Sequence, residues 1–347
     1  MTRVAVVGAG WVTVNRHLPS LSRHPGVRVV GMVTPEPPQV SRAELARRHG
    51  LTRYGATLDE PWLRDEVDAV VIGTPPDTHA DLVCAALERG LHVLVEKPFA
   101  LTTEDADRMI GAAKAADRRL AVIHNLQYGR AATRARALLT SGRLGDLRAA
   151  FGVQSSNHRR RLPSWYPKLP LGLFTDEAPH LIYLLQSFVP GAQVRSLHVG
   201  PAFAPDDNTP DLVSVVLRGG GQAFGSLQMT FVGAISEWLL VLAGSRATAM
   251  VDFFRDVCVV VPDDGGHRTF DVLRTQVAAA AGHAAGTVAA GSLRVRGRLD
   301  YGNDEVVRRF IAAVRDPSQD LAGISAERGR DVVTVLAAAH GAAGSHG

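Results

Sequence analysis

Hydrophobic and polar positions follow two different rhythms along the 347 residues. Up to about residue 124, short apolar runs recur at Val4–Val7, Val27–Val30, Asp68–Ile72 and His92–Val95. Each has the length of a strand buried on both faces, which reads as nearly continuous apolar rather than alternating. Between them, Arg42–His49, Thr78–Arg89 and Glu104–Ala116 carry apolar residues at helical spacing, with Gly50 and Gly90 as stop signals. Thr102 to Asp105 offers a capping box for the last of these helices. This alternation predicts right-handed βαβ units wound into a doubly wound parallel sheet.

Beyond Asn125 the rhythm changes. The pattern predicts a helix over about 131–141, a strand over 147–154, a loop rich in Arg, Pro, Trp and Tyr, and a helix over 177–188. Alternating segments then follow at Val194–Val199, Leu212–Leu217, Ala223–Met229, Trp238–Ala243, Thr248–Phe253 and Val257–Val261. They predict an α+β domain on a large, mainly antiparallel sheet, closed by helices near 304–314 and 325–340 and a frayed Gly/Ala tail. The expected division is therefore 1–124 and 125–347. The chain shows no internal repeat.

Composition narrows the function classes. With 46% hydrophobic and 21% charged residues and two cysteines, the chain is neither disordered nor a disulfide-stapled mini-protein. A formal net charge of +4 is small for this length, and the arginines are spread, the densest run being His158–Arg161; nucleic acid is not an expected partner. No apolar stretch reaches about 18 residues, so no membrane span is expected. The Ala/Gly-rich stretch Val277–Gly291 reads as a soluble helix. Strand-like residues from Arg3 leave no room for a signal peptide. Cys84 and Cys258 stand far apart in apolar surroundings, without metal-ligand spacing. A cytoplasmic protein without a metal is the expectation. Of the 38 Lys plus Arg, only Lys97, Lys114 and Lys168 are lysine. Codon usage in a GC-rich genome accounts for that bias, and a retained lysine then has more reason to require an ammonium.

Candidate chemistry begins at the first strand. Val4–Val7 runs into Gly8-Ala9-Gly10-Trp11-Val12-Thr13. Gly8 permits a tight turn, and Gly10 lets the backbone approach a pyrophosphate resting on the following helix N-terminus. Trp11 and Val12 fall beside that cofactor. The third glycine of the dinucleotide fingerprint is Thr13 here, which predicts slightly looser helix–strand packing. The second strand ends at Thr34 where NAD-binding chains place an acid, which tilts the cofactor toward NADP, although no arginine follows and Glu36 is able to replace the acid. Thr74-Pro75-Pro76 follows the fourth strand and is either part of the ligand crevice or a plain turn before a helix.

Gly8-Ala9-Gly10, Thr74-Pro75 through His79, and His92–Val95 followed by Glu96-Lys97-Pro98 resemble the Gfo/Idh/MocA oxidoreductases, the glucose–fructose oxidoreductase and inositol dehydrogenase family. The Glu-Lys-Pro tripeptide after a βαβαβ half is the most specific element. The resemblance extends through Ser141–Gly145 to Tyr301–Glu327 and implies an N-terminal Rossmann domain binding NAD(P) and a substrate-binding and oligomerising second domain. The family's second signature, an Asp and a His four apart at a helix start, matches Asp176 and His180. In an isolated sequence the same pair reads as a surface Asp and a capping His. Pro179 between them fits if it lies in the helix's first turn, where no amide donor is required.

The resemblance implies catalytic roles for Lys97, His180 and Asp176. It implies cofactor contacts from Gly8, Gly10, Trp11, Val12, Thr34, Thr74, Pro75, His79, Glu96, Lys97 and Asn125. Substrate contacts would come from Lys97, Asn125, Trp165, Asp176 and His180. The implied activity is hydride transfer between nicotinamide and a secondary alcohol or ketone of a sugar, cyclitol or sugar-nucleotide-like substrate, by a homodimer or homotetramer. A secondary-metabolic pathway is one setting for it. Two other readings share the fold, transient oxidation assisting elimination or glycoside cleavage and a non-catalytic nucleotide sensor. The chain departs from the family pattern at the bulky approach Leu171–Thr175, at Tyr183 where a second Asp is common, and at Gln127–Arg130 after the Asn. In the loop 157–170, Arg159, Arg160, Arg161 and Lys168 would hold a phosphate or carboxylate and Trp165 and Tyr166 would stack on a sugar or base, or else the loop is solvated or a subunit contact.

Overall fold

The computed structural model describes residues 1–36, 40–160, 162–219 and 223–344; Arg161 lies outside the described residues. The chain sorts into two compact units, Met1–Asn125 with Asn303–Ala337, and Leu126–Gly302 with Ala338–Gly347.

In the first unit, strands β1 (Thr2–Val7), β2 (Val27–Val33), β3 (Arg53–Gly55), β4 (Ala69–Ile72), β5 (His92–Val95) and β6 (Leu120–Val122) form a parallel sheet in the order β3-β2-β1-β4-β5-β6. That is the Rossmann order, with its switch point between β1 and β4. The apolar runs are strands because both faces are covered: Val4, Ala5 and Val6 of β1 and all of β4 are buried. Helices α1 (Leu18–Arg23), α2 (Arg42–His49), α3 (Pro61–Glu66), α4 (His79–Glu88) and α5 (Thr103–Ala116) alternate with the strands. Ser41 and Thr102 cap α2 and α5, each side-chain oxygen accepting the amide three residues on.

The second unit carries α6 (Arg130–Thr140), β7 (Leu147–Ser155), α7 (Leu173–Phe188), β8 (Gln193–Val199), β9 (Ala202–Ala204), β10 (Asp207–Pro210), β11 (Leu212–Arg218), β12 (Phe224–Thr230), β13 (Glu237–Gly244), β14 (Ala247–Asp252), β15 (Val257–Pro262) and α8 (Thr269–Val295). Seven of these strands form one sheet in the order β15-β14-β13-β7-β12-β11-β8. Every pairing in it is antiparallel except β7 with β12. Helix α7 lies close on one face because Gly152 and Gly225 leave room for Leu181 and Leu185. On the opposite face, Phe151, Val153, Phe224 and Leu212 remain exposed. The Ala/Gly-rich stretch is part of α8, which approaches Val259 and Val257 of β15 through Gly282 and Gly286. Among the described residues, no helix is long and apolar enough to cross a membrane.

The closing helices α9 (Asn303–Arg315) and α10 (Ala326–Gly344) differ from the expected division, because residues 303–337 sort with the first unit. The contacts explain it. Arg315 reaches Thr2 Oγ1 at 3.1 Å and the Gly26 carbonyl, and the Val122 amide donates to the Ile324 carbonyl at 2.8 Å. Gly329 in α10 leaves the space that Phe99 fills. Helix α7 also differs: it begins at Leu173, four residues before the expected start, so Pro179 lies inside the helix and not in its first turn. Its early start is secured by the Thr209 hydroxyl, which accepts the Leu173 amide at 3.0 Å, and by buried Leu173, Phe174 and Thr175.

Candidate active site

In the first unit the predicted cofactor residues gather at the carboxyl ends of β1, β4 and β5. Gly8 has φ +94°, and its amide donates to the Val33 carbonyl at 2.8 Å. A Cβ on Gly8 would press on the Gly73 carbonyl at 2.8 Å and on Thr74, so only glycine closes this turn. Gly10 is exposed, and a Cβ there would meet only the Gly73 carbonyl at 3.8 Å, leaving the turn's outer side open. Trp11 and Val12 follow with 49% and 40% of their surfaces exposed, and Arg16 lies over the Trp11 ring at 5.4 Å. An open glycine turn, a helix start and two uncovered apolar side chains fit the pyrophosphate end of a dinucleotide.

The missing third glycine has a structural answer. From Trp11 to Arg23 the chain is helical, but Thr13–His17 is wound as a π-helix. Thr13 is fully buried, and its hydroxyl donates to the Gly73 carbonyl at 3.4 Å. A Cβ on Gly73 would collide with Thr13 Oγ1, so the side chain gained at 13 uses space left at 73. The packing is close, not loose. Gly73→Ala is expected to destabilise the protein by about 1–3 kcal/mol in urea unfolding. Thr13→Ala in the same chain should recover most of that loss; a purely additive pair would break the argument.

Glu96 and Lys97 follow β5. One Glu96 oxygen accepts the Lys97 amide at 2.8 Å, and the other lies 2.9 Å from His17 Nε2. Burial pushes the Glu96 pKa up, but the His17 contact, the Lys97 charge and that amide outweigh it and bring the pKa down to about 2. Glu96 is thus an ionised buttress under the Lys97 backbone. His17 escaped the sequence reading, because only the π-wound turn and the fold bring a helix residue onto this carboxylate. The Lys97–Pro98 peptide is cis.

His79, expected among the cofactor contacts, is fully buried. Its Nδ1 lies 2.9 Å from the Pro98 carbonyl and its Nε2 3.0 Å from the Thr74 carbonyl. It joins the turn after β4 to the turn after β5, and burial holds its pKa below the usual imidazole range. Thr74 is further fixed by Thr78, whose hydroxyl lies 2.7 Å from Thr74 Oγ1 and from the Pro75 carbonyl. Thr34 follows β2 and is half-buried, its hydroxyl donating to the Glu36 carbonyl at 2.9 Å. Asn125 lies three residues beyond β6 and is half-buried.

In the second unit, α7 carries Asp176, 7% exposed, and half-buried His180 one turn later. The His180 ring is 4.9 Å from the Trp238 ring at 30°, and its Nδ1 lies 2.9 Å from the Tyr183 hydroxyl. Neither Tyr183 nor Trp238 was read as a site residue; Tyr183 drew notice only as a departure from the family pattern. Glu177, buried beside Asp176, accepts from Gln154 Nε2 at 3.0 Å and from the Ser156 hydroxyl. It also pairs with Arg160, whose pKa is lowered by burial, an effect opposed by the Asp176 charge. Arg160 is therefore an anchor of the 157–170 loop. Tyr166 anchors it again by donating to Asp207 at 2.6 Å, and burial together with that carboxylate raises the phenol pKa to about 12. Trp165 is half-buried; Arg159 and Lys168 are exposed. Among the described residues, no group of three His, Cys, Asp or Glu side chains is arranged to hold a metal.

Comparison with known proteins shows the family. Residues 2–124 match the family model for the oxidoreductase family with an NAD-binding Rossmann fold, and residues 132–250 match the GFO/IDH/MocA C-terminal domain. The chain belongs to the Gfo/Idh/MocA oxidoreductase family. It is 30% identical over 183 residues to the uncharacterised oxidoreductase YdgJ of Escherichia coli, covering 52% of this chain and 51% of that one. It is 33% identical over 159 residues to a dTDP-3,4-didehydro-2,6-dideoxy-alpha-D-glucose 3-reductase of Streptomyces antibioticus, covering 44% of this chain and 46% of that one. The chain thus spans about half the length of the curated relatives it matches. The fold matches over the whole chain: the WlbA dehydrogenase of Bordetella pertussis, solved with NADH and UDP-GlcNAcA, superposes with a TM-score of 0.76 at 19% identity, covering 100% of this chain and 96% of that one. As a Gfo/Idh/MocA protein the chain joins the family's NAD-binding Rossmann fold to a mixed-sheet unit that carries its C-terminal domain.

Proposed function

We propose that this Gfo/Idh/MocA protein transfers a hydride between a nicotinamide and a secondary alcohol, or its ketone, on a sugar, cyclitol or sugar-nucleotide-like substrate. The observation that carries this reading is the Glu96–Lys97 turn. It stands at the carboxyl end of β5, beside the glycine turn at the sheet's switch point, with its backbone held through Glu96 and His79. A nicotinamide dinucleotide, held by Gly8, Gly10, Trp11, Val12, Thr74 and Pro75, supplies the redox equivalent when bound. Lys97 donates a hydrogen bond to the reacting oxygen and stabilises its alkoxide character. His180 exchanges the proton, as an imidazole, whose unperturbed pKa of about 6.5 lies near neutral pH, is suited to do. Asp176 binds a neighbouring hydroxyl and helps fix His180 from the preceding turn. Asn125 and Trp165 line the substrate side. The sugar-nucleotide reading draws support from the named activity of the Streptomyces relative and from the ligand solved with the Bordetella protein.

NADP is preferred over NAD in this proposal, because Thr34 adds no negative charge where a 2′-phosphate would lie. The exposed sheet face bearing Phe151 and Phe224, in edge contact at 5.4 Å, is the surface for a homodimer or homotetramer, which sedimentation velocity reads directly. Two buried, free thiols accord with a cytoplasmic setting. Calorimetric titration with NAD, NADH, NADP and NADPH, then a panel of sugars, cyclitols and sugar nucleotides on the best binary complex, tests the reading. Tighter binding of the phosphorylated pair and a net absorbance change with one substrate class are expected. Failure of all four nucleotides to bind would overturn the reading. Turnover of a substrate without net redox change would replace it with transient oxidation.

A further inference from the structure

On α7, Tyr183 ties the His180 ring to another part of its unit. It lies three residues after His180, on the same helical face, and is 4% exposed. Backbone and ring contacts meet at its oxygen. The Leu126 amide donates to it at 3.0 Å, and His180 Nδ1 lies 2.9 Å away. The Leu126 bond fixes the oxygen in space, so the phenol is a rigid partner for the imidazole. Trp238 adds a second constraint: its stack, 4.9 Å between centroids at 30°, sets the plane of the ring, while the Tyr183 contact sets the rotation within that plane. A phenol oxygen has two acceptor positions and one proton. It can therefore accept the Leu126 N–H and an imidazole N–H together.

We propose that Tyr183 is the positioning residue of His180, accepting Nδ1–H in both protonation states so that Nε2 is the nitrogen that exchanges the substrate proton. The proposal rests on the reading of His180 as the proton-exchanging group. A base acting through Nε2 has to keep its other proton on Nδ1, and an orienting acceptor at Nδ1 enforces that tautomer. A neutral phenol does the orienting without the added negative charge that favours an imidazolium over a neutral ring. Proton flow balances: in the oxidation direction the alcohol proton passes to Nε2, and in the reduction direction Nε2 returns it, while the Nδ1 proton stays on Nδ1, donated to the Tyr183 oxygen throughout.

The test is a tautomer measurement on the full chain. With 15N-labelled histidine, long-range proton–nitrogen spectra above the imidazole titration report which nitrogen carries the proton, and His180→Gln assigns the signal. The expected result is an Nδ1–H tautomer for His180 that becomes mixed or Nε2–H in Tyr183→Phe. An Nε2–H tautomer in the unaltered protein, or a spectrum unchanged by Tyr183→Phe, overturns the proposal. The first of these needs no variant, so it holds even if Tyr183→Phe folds poorly. In kinetics, Tyr183→Phe should lower kcat by about 10-fold with the KM for dinucleotide unchanged. If His180→Gln leaves turnover intact, the role of His180 fails while the tautomer result still stands by itself.

Discussion

Lys97→Met is expected to lower kcat by about 100- to 1,000-fold while the dinucleotide binds with nearly unchanged affinity. Methionine keeps much of the apolar stem and removes the ammonium, so the lost quantity is the hydrogen bond to a developing alkoxide. The backbone at 97 should stay in place, because its amide is held by Glu96 and Glu96 by His17. Lys97→Arg should not rescue the rate: a planar, bulkier fork replaces a compact charge. Combining Lys97→Met with His180→Ala extends the test. Two groups serving one transition state give a combined loss smaller than the product of the single losses. Near-wild-type turnover in Lys97→Met with cofactor bound would end the assignment.

The second large effect is on stability in acid. His124, buried beyond β6, has its pKa lowered by burial to about 3, and His92, opening β5, to about 4, where burial is joined by the charges of Arg118 and Arg119. The geometry at His92 agrees, since its Nδ1 accepts the Arg119 amide at 2.9 Å and cannot take a proton without losing that bond. Both folded pKa values lie below the unfolded value of about 6.5, so the unfolded chain binds more protons between the two. Stability is therefore complete above about pH 6.5 and falls as the pH drops toward 4. Each group withdraws on the order of 2 kcal/mol by pH 4.5. Calorimetric unfolding at pH 5 in buffers of different ionisation heat should show uptake of at least two protons, to which buried His79 adds. Zero uptake would refute the burial argument.

The parallel sheet, its helices and the glycine turn were legible because they rest on local periodicity and on short-range turn chemistry. Asp176 and His180 were legible as a spacing, and Lys97 as a lysine kept in an arginine-rich chain. What escaped depends on partners distant in sequence. The π-winding at Thr13–His17 follows from a side chain fitting over Gly73, sixty residues away. Likewise, the early start of α7 depends on the Thr209 hydroxyl, which allowed Pro179 to fall inside a helix. His79 carried a correct motif but not its use: nothing local tells that both ring nitrogens face backbone carbonyls. Arg160 read either as a ligand-binding charge or as part of a solvated loop, because its partner Glu177 comes from α7, seventeen residues on.

The return of residues 303–337 to the first unit makes Leu126–Gly302, the main segment of the second unit, a guest inserted into its host. During synthesis, the host's sheet is complete by Val122, yet the segments that cover Phe99 and pair with Val122 emerge only after the guest. At about 5–20 residues per second, that leaves the host unfinished for tens of seconds. A fragment ending near residue 125 would keep that waiting state permanently, with Phe99 uncovered by α10 and the Val122 amide without its Ile324 carbonyl.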